Sequence, residues 1–121
     1  MYEWIKGSVF NMITTLYPTN ITLNSSATTI FNDVRWVMLG LDRNNCRLAI
    51  KPITKREIDL KLVPLEQLHK ISIGKGYARI SCKSIIDEVN ELLGKTFEGI
   101  KLVTEYDEKD NMLIVNLSKE I

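Results

Sequence analysis

The chain has 121 residues and a mass of 13.9 kDa, which fits one domain, or two small units sharing a core, and is too short for most multi-domain enzymes. Its 45% hydrophobic and 26% charged content is that of a globular domain and excludes disordered and fibrous classes. A formal net charge of +1 falls well short of a strongly basic nucleic-acid binder.

Trp4, Ile5, Val9 and Phe10 suit either a helical face or an irregular arm over residues 1–11. Glu3 and Lys6 interrupt the apolar core that a secretion signal would need, and charge breaks every longer apolar run, so neither a signal peptide nor a membrane span is expected. A hairpin is predicted from strands over 12–16 and 20–23, because Pro18 between them fixes φ and lacks a ladder donor. Asn24 suits a helix N-cap, since its side-chain oxygen can accept from a first-turn amide of a short helix over 25–32. A second hairpin, from strands over 34–41 and 46–51, turns at Asp42-Arg43-Asn44-Asn45.

Residues 52–68, with Pro52 and Pro64, read as a linker containing one helical turn after Pro64. Ile58, Leu60, Leu62 and Val63 suggest that it is packed down. A third hairpin, from strands over 69–73 and 77–82, turns at Gly74-Lys75-Gly76, where glycine allows positive φ. Ile85, Ile86, Val89, Leu92 and Leu93 recur at helical spacing. Asp87 and Glu88 suit the start of that helix, and Gly94 suits a left-handed cap at its end. Strands over 101–106 and 111–117 close the last hairpin around 107–110.

An internal repeat organises these elements. The segment 41–50 aligns without a gap on 106–115, each placing an Asp after an apolar residue, then polar residues, then an apolar strand. Upstream, Ile21-Thr22-Leu23-Asn24-Ser25 matches Ile80-Ser81-Cys82-Lys83-Ser84. Six extra residues in the second copy fit 94–99, which has glycine at both ends. The reading is therefore one mostly β, α+β domain over 1–121. Two tandem ββαββ repeats, 12–51 and 69–117, are expected to superpose about a pseudo-twofold axis in a barrel-like core. Its predicted core is Ile21, Leu23, Ile30, Val37, Leu39, Leu48, Ile50, Ile80, Ile86, Val89, Leu102, Leu113 and Val115.

Charge is uneven along the chain: +1 over residues 1–50, +3 over 51–90 and −3 over 91–121. Residues 69–83 hold four cations, Lys70, Lys75, Arg79 and Lys83, and no acid. Alternation along 77–83 places Tyr77, Arg79, Ser81 and Lys83 on one face, and Ala78, Ile80 and Cys82 on the other. That cationic face is either a solvated strand surface or a contact patch for an anionic partner.

Little else points to chemistry. His69 is the only histidine, and Cys46 and Cys82 lack metal-type spacing. They read as free thiols at strand positions in a cytoplasmic protein. Asp42 and Asp107 recur for turn chemistry rather than as paired catalytic carboxylates. The cluster Glu105, Asp107, Glu108 and Asp110 lacks EF-hand spacing, and Gly74-Lys75-Gly76 lacks Walker-loop spacing. Trp4 and Trp36 could stack on bases, although Val37 and Met38 beside Trp36 favour a core position. No catalytic residue, metal or cofactor is expected, and the enzyme class is the least favoured.

The order of two strands, a short helix and two more strands resembles the swapped-hairpin module of AbrB-type transition-state regulators. Two copies in one chain are similar to the pseudo-dimer of MraZ. Ala78-Arg79-Ile80-Ser81 is the nearest local match to the Gly-Arg-Ile-Thr run of that family, with Ala78 for the Gly. The first copy, Thr19-Asn20-Ile21-Thr22, lacks the Arg, and Asn24 and Lys83 replace the usual proline. MraZ's repeated Asp-to-Arg signature is not reproduced. The resemblance implies a small DNA-binding, transcription-regulatory protein acting on double-stranded DNA; the contact face expected for it, Lys70, Lys75, Arg79 and Lys83, is read from the acid-free basic stretch. The alternative is a non-catalytic interaction or assembly module of the same fold, with a protein partner or self-association. Neither reading involves a membrane.

Overall fold

Two Asp turns fold the chain back in the same way. The Asp42 carboxylate accepts from the Asn45 backbone N–H at 3.2 Å and from its side-chain amide at 2.8 Å, and Asp107 accepts from the Asp110 N–H at 3.2 Å. The bonds from Asn45, side chain first, hold Asp42 below the usual carboxylate range. In both loops the last residue is left-handed, with φ 52° at Cys46 and 50° at Asn111. Cys46 thus occupies the turn rather than the strand expected for it.

Left-handed backbone disfavours most L-residues but is tolerated by asparagine. Cys46→Asn should therefore stabilise the protein by about 0.5–1 kcal/mol, raising the thermal midpoint by about 2–5 °C. A lower midpoint would show that the half-buried thiol's packing outweighs the backbone term.

The structure, a computed structural model, describes residues 1–4 and 12–121. The choice between helix and arm at 5–11 lies outside the described residues. The strands are β1 (Met12–Leu16), β2 (Asn20–Leu23), β3 (Trp36–Asp42), β4 (Arg47–Ile53), β5 (Leu68–Gly74), β6 (Tyr77–Ser81), β7 (Ile100–Asp107) and β8 (Met112–Glu120). Helix α1 (Ser25–Thr28) and a 3-10 turn (Thr29–Phe31) follow β2. Helix α2 (Lys55–Asp59) and a 3-10 turn (Leu65–Gln67) precede β5, and α3 (Lys83–Leu93) follows β6.

All neighbours pair antiparallel in a closed barrel of order β1-β2-β6-β5-β3-β4-β8-β7. Closure leaves no free sheet edge. A barrel of this strand number has an interior that side chains alone can fill. Leu16, Ile21, Leu23, Val37, Leu48, Ile50, Ile80, Leu102, Leu113 and Val115 do so, all fully buried. One polar pair lies among them: the Thr104 hydroxyl donates to Thr14 Oγ1 at 2.8 Å.

Eleven of the thirteen predicted core residues are buried, while Ile30 and Leu39 are half-buried against the cluster. The reading missed Phe31 and Phe97, both fully buried. Phe31 ends the short 3-10 turn and Phe97 lies between α3 and β7, where no periodicity marks either.

Asn24 caps α1 as expected, accepting from the Ala27 N–H at 3.1 Å, and Gly94 ends α3 at φ 64°. Asp87 and Glu88 lie beyond the first turn of α3, which starts at Lys83 and holds no acid there. The linker departs most from expectation. Strand β4 continues through Pro52 to Ile53, past the end of its ladder with β8 at Ile50, where a residue without N–H is tolerated. Helix α2 follows, fixed by a capping box in which the Thr54 side chain accepts from the Glu57 N–H and Glu57 accepts from the Thr54 N–H. Beyond it the chain is not packed down: Leu60, Leu62 and Leu65 are 56%, 66% and 68% exposed.

Candidate functional site

Strand order turns two separated stretches of sequence into one surface. Residues 4–32 and 67–86 contain no Asp or Glu, and they supply β1, β2, β5 and β6. These four strands are consecutive in the barrel as β1-β2-β6-β5, so half of the barrel wall carries no acid. Its charges are Lys70 on β5, Lys75 in the turn and Arg79 on β6. All three are exposed and lack an ion pair or side-chain hydrogen bond among the described residues. The opposite wall, β3-β4-β8-β7, mixes both signs.

The alternation expected along β6 is present: Tyr77, Arg79 and Ser81 face solvent, while Ala78 and Ile80 are buried. Arg79 lies between Thr22 of β2 and Ser72 of β5, so hydroxyls flank the guanidinium's strand position on both sides. Lys83 departs from this face. It begins α3, and its ammonium pairs with Asp87 at 2.8 Å one helical turn on, which leaves three unpaired cations of the four expected.

The β5–β6 turn is shaped by its glycines. Gly76 adopts φ 75°, and a Cβ at Gly74 would lie 2.6 Å from the Tyr77 ring, so only glycine lets that ring lie across the strand end. At the other end of β5, Lys70 pairs with Trp36 of β3. Trp36 points outward, 38% exposed, rather than into the core. Beside it is a cavity of about 420 Å³ lined by Asp33, Arg35, Trp36, Ile53, Lys55 and Ile58. Trp36's outward position follows from alternation with Val37 and Leu39, whereas the cavity is not legible in the sequence, because it depends on Lys55 and Ile58 of α2.

Other candidate chemistry dissolves. Asp42 and Asp107 both line the groove between β4 and β8, but their carboxylates are held by their own turns. Among the described residues no three His, Cys, Asp or Glu side chains are placed to hold a metal. His69 and Cys82 share no hydrogen bond there. Cys82 donates to the Ile80 carbonyl at 3.4 Å, and burial pushes its thiol up to about 12, the reverse of an activated nucleophile.

A raised thiol pKa makes the folded state retain a proton that the unfolded chain has lost. Stability must then fall as pH rises from about 9 toward 12, at up to about 1.4 kcal/mol per unit. Urea denaturation against pH should show this decline reduced in Cys82→Ala. Identical slopes would contradict the burial of the thiol.

No protein-family model, curated protein or solved structure matches this chain.

Proposed function

We propose that the protein is a small cytoplasmic DNA-binding, transcription-regulatory protein, built as a pseudo-dimer of two ββαββ repeats of swapped-hairpin type. Register supports the pseudo-dimer. Ile21 pairs with Ile80, and Ala49 with Ile114; each pair holds the same position in the two aligned copies, as residues on a twofold axis would. Exchanging β1 to β4 with β5 to β8 leaves the cyclic strand order unchanged. The two free thiols suit the cytoplasm. Among the described residues no helix is long and apolar enough to cross a membrane.

The acid-free half of the barrel carries the DNA reading. Lys70, Lys75 and Arg79 have no intramolecular counter-ion there, so phosphates can supply one, with Arg79 offering a planar fork. Such contacts position a duplex without reading its sequence. The test is fluorescence anisotropy of a labelled duplex against salt. Three phosphate contacts predict a log-log slope of about −2.7.

The second reading, an interaction module, is favoured by the exposed Leu60, Leu62 and Leu65. Absence of duplex binding at low salt would transfer the conclusion to it.

A further inference from the structure

Resting on the reading of the acid-free wall as a nucleic-acid surface, we propose that the cavity beside Trp36, on strand β3 next to that wall, takes a nucleobase of a single strand. The strand's backbone would follow Lys70 and Arg79 toward Tyr77. Chemistry of the walls points to a base. The indole and the aliphatic side chains of Ile53 and Ile58 suit a flat heteroaromatic ring, and about 420 Å³ lies in the usual range for small-ligand cavities. Arg35 and Lys55 at the same cavity supply cations for the flanking phosphate. Asp33 supplies an acceptor for an exocyclic amine.

Continuity with the unpaired cations extends the site beyond one nucleotide. Trp36 is the β3 partner of Lys70; Ser72 pairs with Arg79, and Gly74 with Tyr77, whose ring is 45% exposed. From Lys70 to Gly74 the strand covers about 13 Å. Two exposed rings thus flank a path of cations, the combination by which single strands are held: phosphates on positive charge and bases stacked on aromatic faces. A duplex keeps its bases stacked and can use only the cations unless it extrudes one.

The test uses the full chain with Trp4→Phe, leaving Trp36 as the only tryptophan. Probes are a labelled deoxyadenylate 12-mer, a 12-base-pair duplex and deoxyadenosine monophosphate. The 12-mer should quench Trp36 and bind at least about tenfold more tightly than the duplex. Trp36→Leu and, separately, Ile58→Glu should weaken 12-mer binding by about 5- to 150-fold, the range for one stacked base, and leave duplex binding within about twofold. Ile58 is half-buried on a surface helix, so its variant tests the cavity even if Trp36→Leu fails to fold. Duplex binding with no single-strand preference, or with 12-mer affinity unmoved by Ile58→Glu, would overturn the inference while leaving the DNA reading standing. Monophosphate binding as tight as the 12-mer would replace the strand path by a small-molecule pocket and equally overturn it. No binding of any probe at low salt would overturn both readings.

Discussion

Truncating Phe97 to alanine should lower the free energy of unfolding by about 3–5 kcal/mol, the cost of removing a large aromatic side chain from a closed core. Phe97 is fully buried in the main cluster, yet it comes from an irregular segment rather than a strand or helix. Left-handed Gly94 and Gly99, with φ 64° and 88°, flank that segment. The Gly99 N–H donates to the Leu16 carbonyl at 2.8 Å, tying its far end to β1. With both ends fixed, the segment cannot easily collapse into the space a truncation leaves. Urea denaturation should show a lower midpoint with an unchanged slope. A loss below about 1 kcal/mol would show that the ring is not integral to the core.

Phe97 also marks the limit of what the sequence conveys. Strand boundaries were readable where local chemistry sets them: the Asp turns at 42 and 107, the glycine turn at 74–76, the Asn24 cap and the Gly94 cap. Alternation gave the buried faces of β2, β4, β6 and β8, since period-two patterns record which side meets the core. Phe31 enters the core from a three-residue 3-10 turn and Phe97 from irregular backbone, where no period exists to read. Helix α2 carries a sign in the sequence, Thr54 followed three residues later by Glu57, which Pro52 just upstream masks by suggesting a linker. Leu60 and Leu62 are exposed rather than packed down, because apolar identity alone does not imply burial, while Ile58 and Val63 are half-buried.

The candidate site was legible in part. Four cations without an acid are visible in residues 69–83, but that β1 and β2 extend the acid-free surface depends on β2 pairing with β6. That contact joins residues some sixty positions apart. The pairing of Lys83 with Asp87 became evident only once α3 was seen to start at Lys83.

Replacing Lys70, Lys75 and Arg79 together by alanine should weaken duplex binding at low salt by at least about tenfold. The same change should cut the magnitude of the salt slope by about 2.7, to near zero, because each lost phosphate contact removes about 0.9. Exposed strand and turn positions make the folding cost small, within about 0.5 kcal/mol per residue. A matched control replaces Arg43, Lys95 and Lys109, which lie outside the acid-free wall. Arg43 and Lys95 are paired with Glu88 and Glu120 at 3.3 and 2.8 Å. The control loses the same three charges and should bind within about twofold of the wild type. Equal losses in the two triple variants would mean that overall charge, not this face, attracts DNA.

Mapping backbone amide shifts by NMR as duplex DNA is added at low salt locates the contact surface directly. Shifts concentrated on β2, β5, β6 and the turn at Lys75 are the expected result. Shifts centred on β4 and β8, or on residues 60–65, would contradict the assignment of the acid-free wall as the binding face.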